Sequence, residues 1–467
     1  MLSSATMSAS STHPGGLPPA GVRNAGLYNL ETALLTLIFV DYAIQWLTIL
    51  PFEITAASIT IDYWHRGSEI NVGVWITVFL VALSVIQVFG VRGYGEVEFV
   101  LSIIKVTACI GFIILAVIID CGGVPTDHRG YIGARYWHDP GAFRNGFKGF
   151  CSVFVTASFS FGGTELTGLA AAEAANPMRS IPQATKQVFW RITIFYVLGL
   201  FMIGLVVPSN DDRLLNASGA HTAFSPFIIA MTDAGIKVLP SIFNAVITIS
   251  VLSVANSCAY GSTRTMQALA QTGMGPRFLA TVDKYGRPIW CVVIQLLFGL
   301  LAFINEANVG STFFNWLLAL SGLANFFIWG SICLAHVRFR AGWKAHGHSL
   351  DELPYRASFG TIGSWIGLGL NILCLIASFY VALFPVGGSP DPSAFFQQYL
   401  AAPLILALYL GWKVTYGRRD PFMIRAKDMD VISGLRANIE EIQQMAEEKR
   451  ANTTPRGLPM RIVRALF

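Results

Sequence analysis

"FSFGGTELTGLAAAEAANP", residues 159–177, decides how this chain is read. It interrupts an apolar run where an unbroken helix would be the easiest structure to build. Gly162, Gly163, Thr164 and Glu165 follow one another there. Each glycine lowers helix stability by about 1 kcal/mol relative to alanine. A charge at mid-membrane costs on the order of 3 kcal/mol or more. A helix broken at this point frees backbone N–H and C=O groups that lipid cannot satisfy. The half beginning near Thr164 points its positive end at the gap, and the half ending near Phe161 presents carbonyls. Such a gap suits a zwitterion, carboxylate to the amides and ammonium to the carbonyls. The competing reading is structural: paired glycines also let membrane helices pack closely.

The rest of the chain supplies the membrane. Of 467 residues, 54% are hydrophobic and 13% charged, with a mean hydropathy of +0.55. Soluble proteins carry about 25% charged residues. A bilayer core takes about 20 apolar residues as a helix. Candidate spans run over 34–59, 74–89, 99–119, 147–172, 189–207, 238–269, 289–304, 313–335, 364–384 and 395–412. No strand alternation occurs, so the expected fold is an all-α polytopic membrane bundle rather than a barrel.

Residues 1–30 are rich in Ser, Pro and Gly and lack a signal-peptide pattern, which predicts a disordered cytosolic N-terminus. Residues 31–415 form the membrane domain and 416–467 a cytosolic tail. In that tail Val431, Leu435, Ile439, Ile442 and Met445 share one helical face. Most of the 32 Lys and Arg fall on one side of the ten spans, which predicts that both termini are cytosolic. That orientation places Asn216-Ala-Ser218 outside, as a glycosylation acceptor. The loops between spans are too short for a soluble domain. The seven cysteines have no metal or redox spacing. No catalytic dyad, phosphate loop or nucleophile elbow is present. No enzyme activity, cofactor, metal or nucleic-acid partner is therefore expected.

Other polar residues stand in apolar company. Lys105 lies in "FVLSIIKVTACIGFII". It either snorkels to the cytosolic face or turns inward as an amine that gains and loses a proton. Glu53 follows the kink-forming Pro51, and either faces a cavity or is a hydrogen-bonded structural carboxyl. Asp41 is nearer its span end, is expected to be less buried, and is left out of the site. "SVLSVANSCAYGSTRT" (250–265) groups Ser253, Asn256 and Ser257 on one broad face, and "ALSGLANFF" (319–327) carries Ser321, Gly322 and Asn325. Small polar residues of this kind also serve as helix–helix glue.

"FSFGGTELTGLAAAEAANPMRSIPQATKQVFWRI" resembles the sixth helix and following loop of fungal amino-acid permeases, of the amino acid–polyamine–organocation superfamily. Residues 250–288 resemble their eighth helix and its loop. "FNWLLALSGLANFFIWGSICLAHVRFR" resembles the tenth helix. "QYLAAPLILALYLGWK" with "PFMIRAKDMD" resembles the twelfth and its tail. The resemblance runs from about Asp41 to Asp430. It implies twelve helices, the first ten in two inverted repeats, with an amino-acid substrate held between broken first and sixth helices. It maps the break onto Phe161, Gly162, Gly163, Thr164 and Glu165; Asn256 and Ser321, read from the polar faces above, complete the expected substrate-binding set. It maps the proton-coupling lysine onto Lys105 and a third-helix glutamate onto Glu53. The ten spans then correspond to family helices three to twelve. Nothing before Asp41 resembles the first two, which predicts an incomplete or degenerate member. The expected function is secondary-active amino-acid transport by proton symport in the plasma membrane. The alternative is a non-transporting amino-acid sensor.

Overall fold

The computed structural model describes residues 30–61, 63–64, 70–167, 177–215, 225–271, 275–306, 310–350, 353, 359–415, 425–429 and 431. Asn216 and most of the tail, including the amphipathic face from Leu435 onward, lie outside the described residues. The first helices are α1 (Leu30–Ile61), α2 (Val72–Val88), α3 (Gly90–Asp120), α4 (Gly146–Ser152) and α5 (Phe154–Phe161). Next, α6 (Pro177–Arg191) runs through a π segment (Ile192–Leu198) into α7 (Gly199–Val206). Then come α8 (Pro226–Asp233), α9 (Leu239–Gln271) and α10 (Ile289–Gly299), the last prolonged by a 3-10 segment, Leu300–Glu306. The chain continues with α11 (Gly310–Ala345), α12 (Gly360–Leu383), α13 (Pro392–Tyr399) and α14 (Ala401–Thr415). Among the described residues there is no strand.

Seven stretches are long and apolar enough to cross a membrane as helices, and the pair α13–α14 makes an eighth. That pair is bent by 68°, where the sequence reads one straight span. Pro403 explains the bend: proline has no N–H for the carbonyl four residues back, here Tyr399, and its ring crowds that carbonyl. The shorter α2 matches the span read at 74–89. The span read at 147–172 is α4, α5 and the break after Phe161, its remainder lying outside the described residues.

The bundle is arranged around α1. Its Leu50, Ile54 and Ala57 pack with Ile76 and Leu80 of α2, Ala255 and Cys258 of α9, and Ala324 of α11. A second core joins Phe112 and Ala116 of α3 to Met202 and Val206 of α7, Ile229 of α8 and Phe243 of α9. At the periphery, Leu370, Leu373 and Ile376 of α12 are each more than half exposed. In water that face would be a liability. In lipid it is the inexpensive one, because hydrocarbon is as apolar as leucine.

Candidate functional site

The last turn of α5 sets the geometry of the site. Gly162 leaves the helical region with ψ 152°, and Gly163 takes φ +90°, a conformation open to glycine and strained for other residues. The final four carbonyls of a helix have no partner within it. Here Ser158 O accepts from Asn325 Nδ2 at 2.9 Å, and Phe159 O from Gly162 N at 3.1 Å. Ser160 O accepts from the Tyr196 hydroxyl at 2.9 Å. Phe161 O has no donor among the described residues, and the Phe161 ring lies 4.9 Å from that of Tyr196.

Across the gap, Gly163 N donates to Glu165 Oε1 at 3.2 Å. Trp329 Nε1 of α11 donates to Glu165 Oε2 at 3.3 Å, and the Thr164 hydroxyl lies 3.5 Å from the same oxygen. One amide that the sequence reading reserves for a solute carboxylate is thus met by the protein's own carboxylate. The Phe161 carbonyl and the Glu165 carboxylate thus lie within the same turn.

Asn325 is the hub that positions this turn. Its Oδ1 accepts from Gln45 Nε2 at 2.7 Å, and the same Gln45 nitrogen donates to Ser321 O at 3.0 Å. The Ser321 hydroxyl, fully buried, sits 3.2 Å from Thr48 Oγ1. Ser158 Oγ donates to Gly322 O at 2.5 Å. A Cβ on Gly322 would fall 2.6 Å from Val155 O, so only glycine permits this approach of α5 to α11. Ser321 therefore takes part in a bridge between α1 and α11.

Asn256 of α9 is buried, and neither its amide oxygen nor its amide nitrogen finds a partner among the described residues. Leaving such groups unmet costs about 1–3 kcal/mol each, a cost that a ligand or water would remove. The Glu53 side chain of α1 is buried, and it makes no side-chain hydrogen bond among the described residues. A cavity of about 400 Å³ lies beside α5 rather than at the break, lined by Thr156, Asn315, Ser378 and Gln397 among others.

Two features differ from the sequence reading. Asp41, expected to be less buried, is 1% exposed, and its Oδ2 has no partner among the described residues. Its helix is the one that the rest of the bundle encloses, so closeness to a span end does not bring it to water. Lys105 does not stand alone: Glu98, seven residues earlier on α3, pairs with it at 3.0 Å. Glu98 borders the apolar run at Phe99, where a charge reads as interfacial. The only available signal is the two-turn spacing to Lys105. Among the described residues no group of three or more His, Cys, Asp or Glu is placed to hold a metal ion.

The sequence model of amino acid permeases matches residues 29–425. The chain belongs to the amino acid permease family. It is 52% identical over 409 residues to a cationic amino acid transporter of Schizosaccharomyces pombe, covering 86% of this chain and 68% of the relative. It is 49% identical over 421 residues to a general amino-acid permease of Saccharomyces cerevisiae, covering 89% and 69%. An amino-acid permease of Hypocrea atroviridis is 50% identical over 403 residues, covering 85% and 69%. Membership of this permease family, with its apolar helices, makes the chain an integral, multi-pass membrane protein. Its relatives are permeases and transporters rather than enzymes.

Proposed function

We propose that the chain carries amino acids across a membrane by secondary-active transport driven by protons. The solute sits at the break formed by Phe161, Gly162, Gly163, Thr164 and Glu165, with Asn256 facing it, and Lys105 and Glu53 handle the proton. The observation that carries this reading is the break itself. Among the described residues Phe161 O lacks a donor while Gly163 N is held by a carboxylate, the reverse and the mimic of what a zwitterion brings. A substrate ammonium would satisfy the carbonyl, and its carboxylate would displace Glu165 from the amide. The relatives' names span cationic and general transport, so the class proposed is amino acids at large.

The test is uptake of radiolabelled mixed amino acids into vesicles under an inward proton gradient. Glu165→Gln and Lys105→Ala should each abolish accumulation while the protein still inserts. Normal accumulation by both variants would remove the assignment. The excess of Lys and Arg on one side of the spans supports cytosolic termini, and the plasma membrane is the proposed location. A glycosidase-sensitive mass shift that disappears in Asn216→Gln is the expected sign of that orientation.

A further inference from the structure

Lys105, Glu98 and Ser253 form a closed set. Lys105 Nζ donates to Glu98 Oε1 at 3.0 Å and to Ser253 Oγ at 2.6 Å. Ser253 Oγ donates to Glu98 Oε2 at 2.5 Å. The lysine stem runs back toward the start of α3, as helical side chains do, and its amine ends on α9 rather than among lipid headgroups. Ser253 is fully buried, whereas the Lys105 and Glu98 side chains are 24% and 23% exposed. Ser253 also lies three residues before Asn256, on the same side of α9.

We infer that Glu98 is a second proton-coupling residue, which holds the Lys105 amine in place and shares its proton through Ser253. This rests on the coupling role proposed above for Lys105. With ammonium and carboxylate facing each other the set is neutral. Moving the proton through Ser253 leaves it neutral: an Nζ–H bond breaks as a new Oγ–H bond forms, and the former Oγ–H bond breaks as an Oε2–H bond forms. A proton arriving from solution binds the carboxylate and makes the set cationic, with no other bond changed. The two side chains are 3.0 Å apart and share Ser253, so each fixes where the other's charged end lies.

The other titratable groups around it are accounted for. On α3, Cys109 is one turn beyond Lys105, Tyr94 is one turn before Glu98, and Glu96 is exposed. On α9, Tyr260 stacks on Tyr94 at 4.5 Å with Arg264 over its ring, and Cys258 is buried in the core against α1. The π segment brings Tyr196. The sequences of α2 and α7, also packed on α3, carry no titratable side chain.

The experiment uses the full chain in vesicles with radiolabelled mixed amino acids, comparing accumulation driven by a proton gradient with exchange at equal pH. Glu98→Gln and Lys105→Ala should both lose accumulation and keep exchange, and Glu98→Asp should restore part of it. Accumulation lost in Lys105→Ala but intact in Glu98→Gln would overturn the role of Glu98 and leave that of Lys105 standing. Accumulation intact in Lys105→Ala would overturn both.

Discussion

Two polar seams run through this bundle, and they are built differently. The seam joining α1, α5 and α11 is neutral: Gln45, Thr48, Ser158, Ser321 and Asn325 meet only each other and backbone carbonyls. Its members are buried to within a few per cent. The seam joining α3 to α9 carries opposite charges, and both of its charged side chains keep about a quarter of their exposure. A neutral, fully buried network has no cheap alternative partner and so locks helices together. A partly exposed ion pair adds little to stability, because water competes for both ends. The contrast separates the part of the molecule that holds the break in place from the part that can change charge.

The largest stability effect belongs to the first seam. Asn325→Ala strips the donor from Ser158 O and one of two acceptors from Gln45 Nε2, and should cost about 2–3 kcal/mol given the penalty for buried unmet groups. Thermal unfolding of detergent-solubilised protein would measure it, and an unchanged melting temperature would deny the seam its locking role. Gly322→Ala should come next, at about 1–3 kcal/mol, because its Cβ would overlap Val155 O. Gly330→Ala on the same helix is its control. The nearest atom there is 3.7 Å away, so the change should stay within about 0.5 kcal/mol.

In the second seam, Ser253→Ala should move stability by less than about 1 kcal/mol while slowing proton-driven uptake. If it unfolds the protein instead, the two seams are not different in kind.

The smallest effect lies outside the membrane segments. Arg129 beside Asp127, and Arg213 beside Asp211, hold those carboxyls below the ordinary carboxylate value through hydrogen bonds. Depressed carboxyls contribute stability above their unfolded value of 3.8, and that contribution is lost as pH falls further through the folded value. Arg213 is 38% exposed, so screening keeps the contribution of its pair below about 1 kcal/mol. Asp211→Asn should therefore lower the melting temperature slightly at neutral pH and still at pH 4, and leave it nearly unchanged only at pH below the folded value. A larger loss at acid pH than at neutral pH would reverse the sign argued here.

The break was legible because four adjacent residues, Gly162 to Glu165, all oppose a lipid-facing helix. The spans were legible for the reason that makes membrane helices readable in general: the backbone must satisfy itself, so length and apolarity suffice. The seams were less so. Gln45 and Asn325 are 280 residues apart, and no local pattern pairs them. Glu98 was hidden by its place at the border of an apolar run. Asp41 was misjudged because burial in a bundle depends on which helix is enclosed, not on depth along the helix. The bend between α13 and α14 hangs on Pro403, one proline within an otherwise continuous apolar run.

The most direct measurement is a cryo-electron microscopy map of the full chain in lipid nanodiscs, saturated with mixed amino acids. The account predicts density for an amino acid lodged between Phe161 O and Gly163 N, with the Glu165 carboxylate moved off that amide. A map with residues 161–166 wound into continuous helix, and the amino acid absent or lodged beside Ser378 in the cavity next to α5, would contradict it.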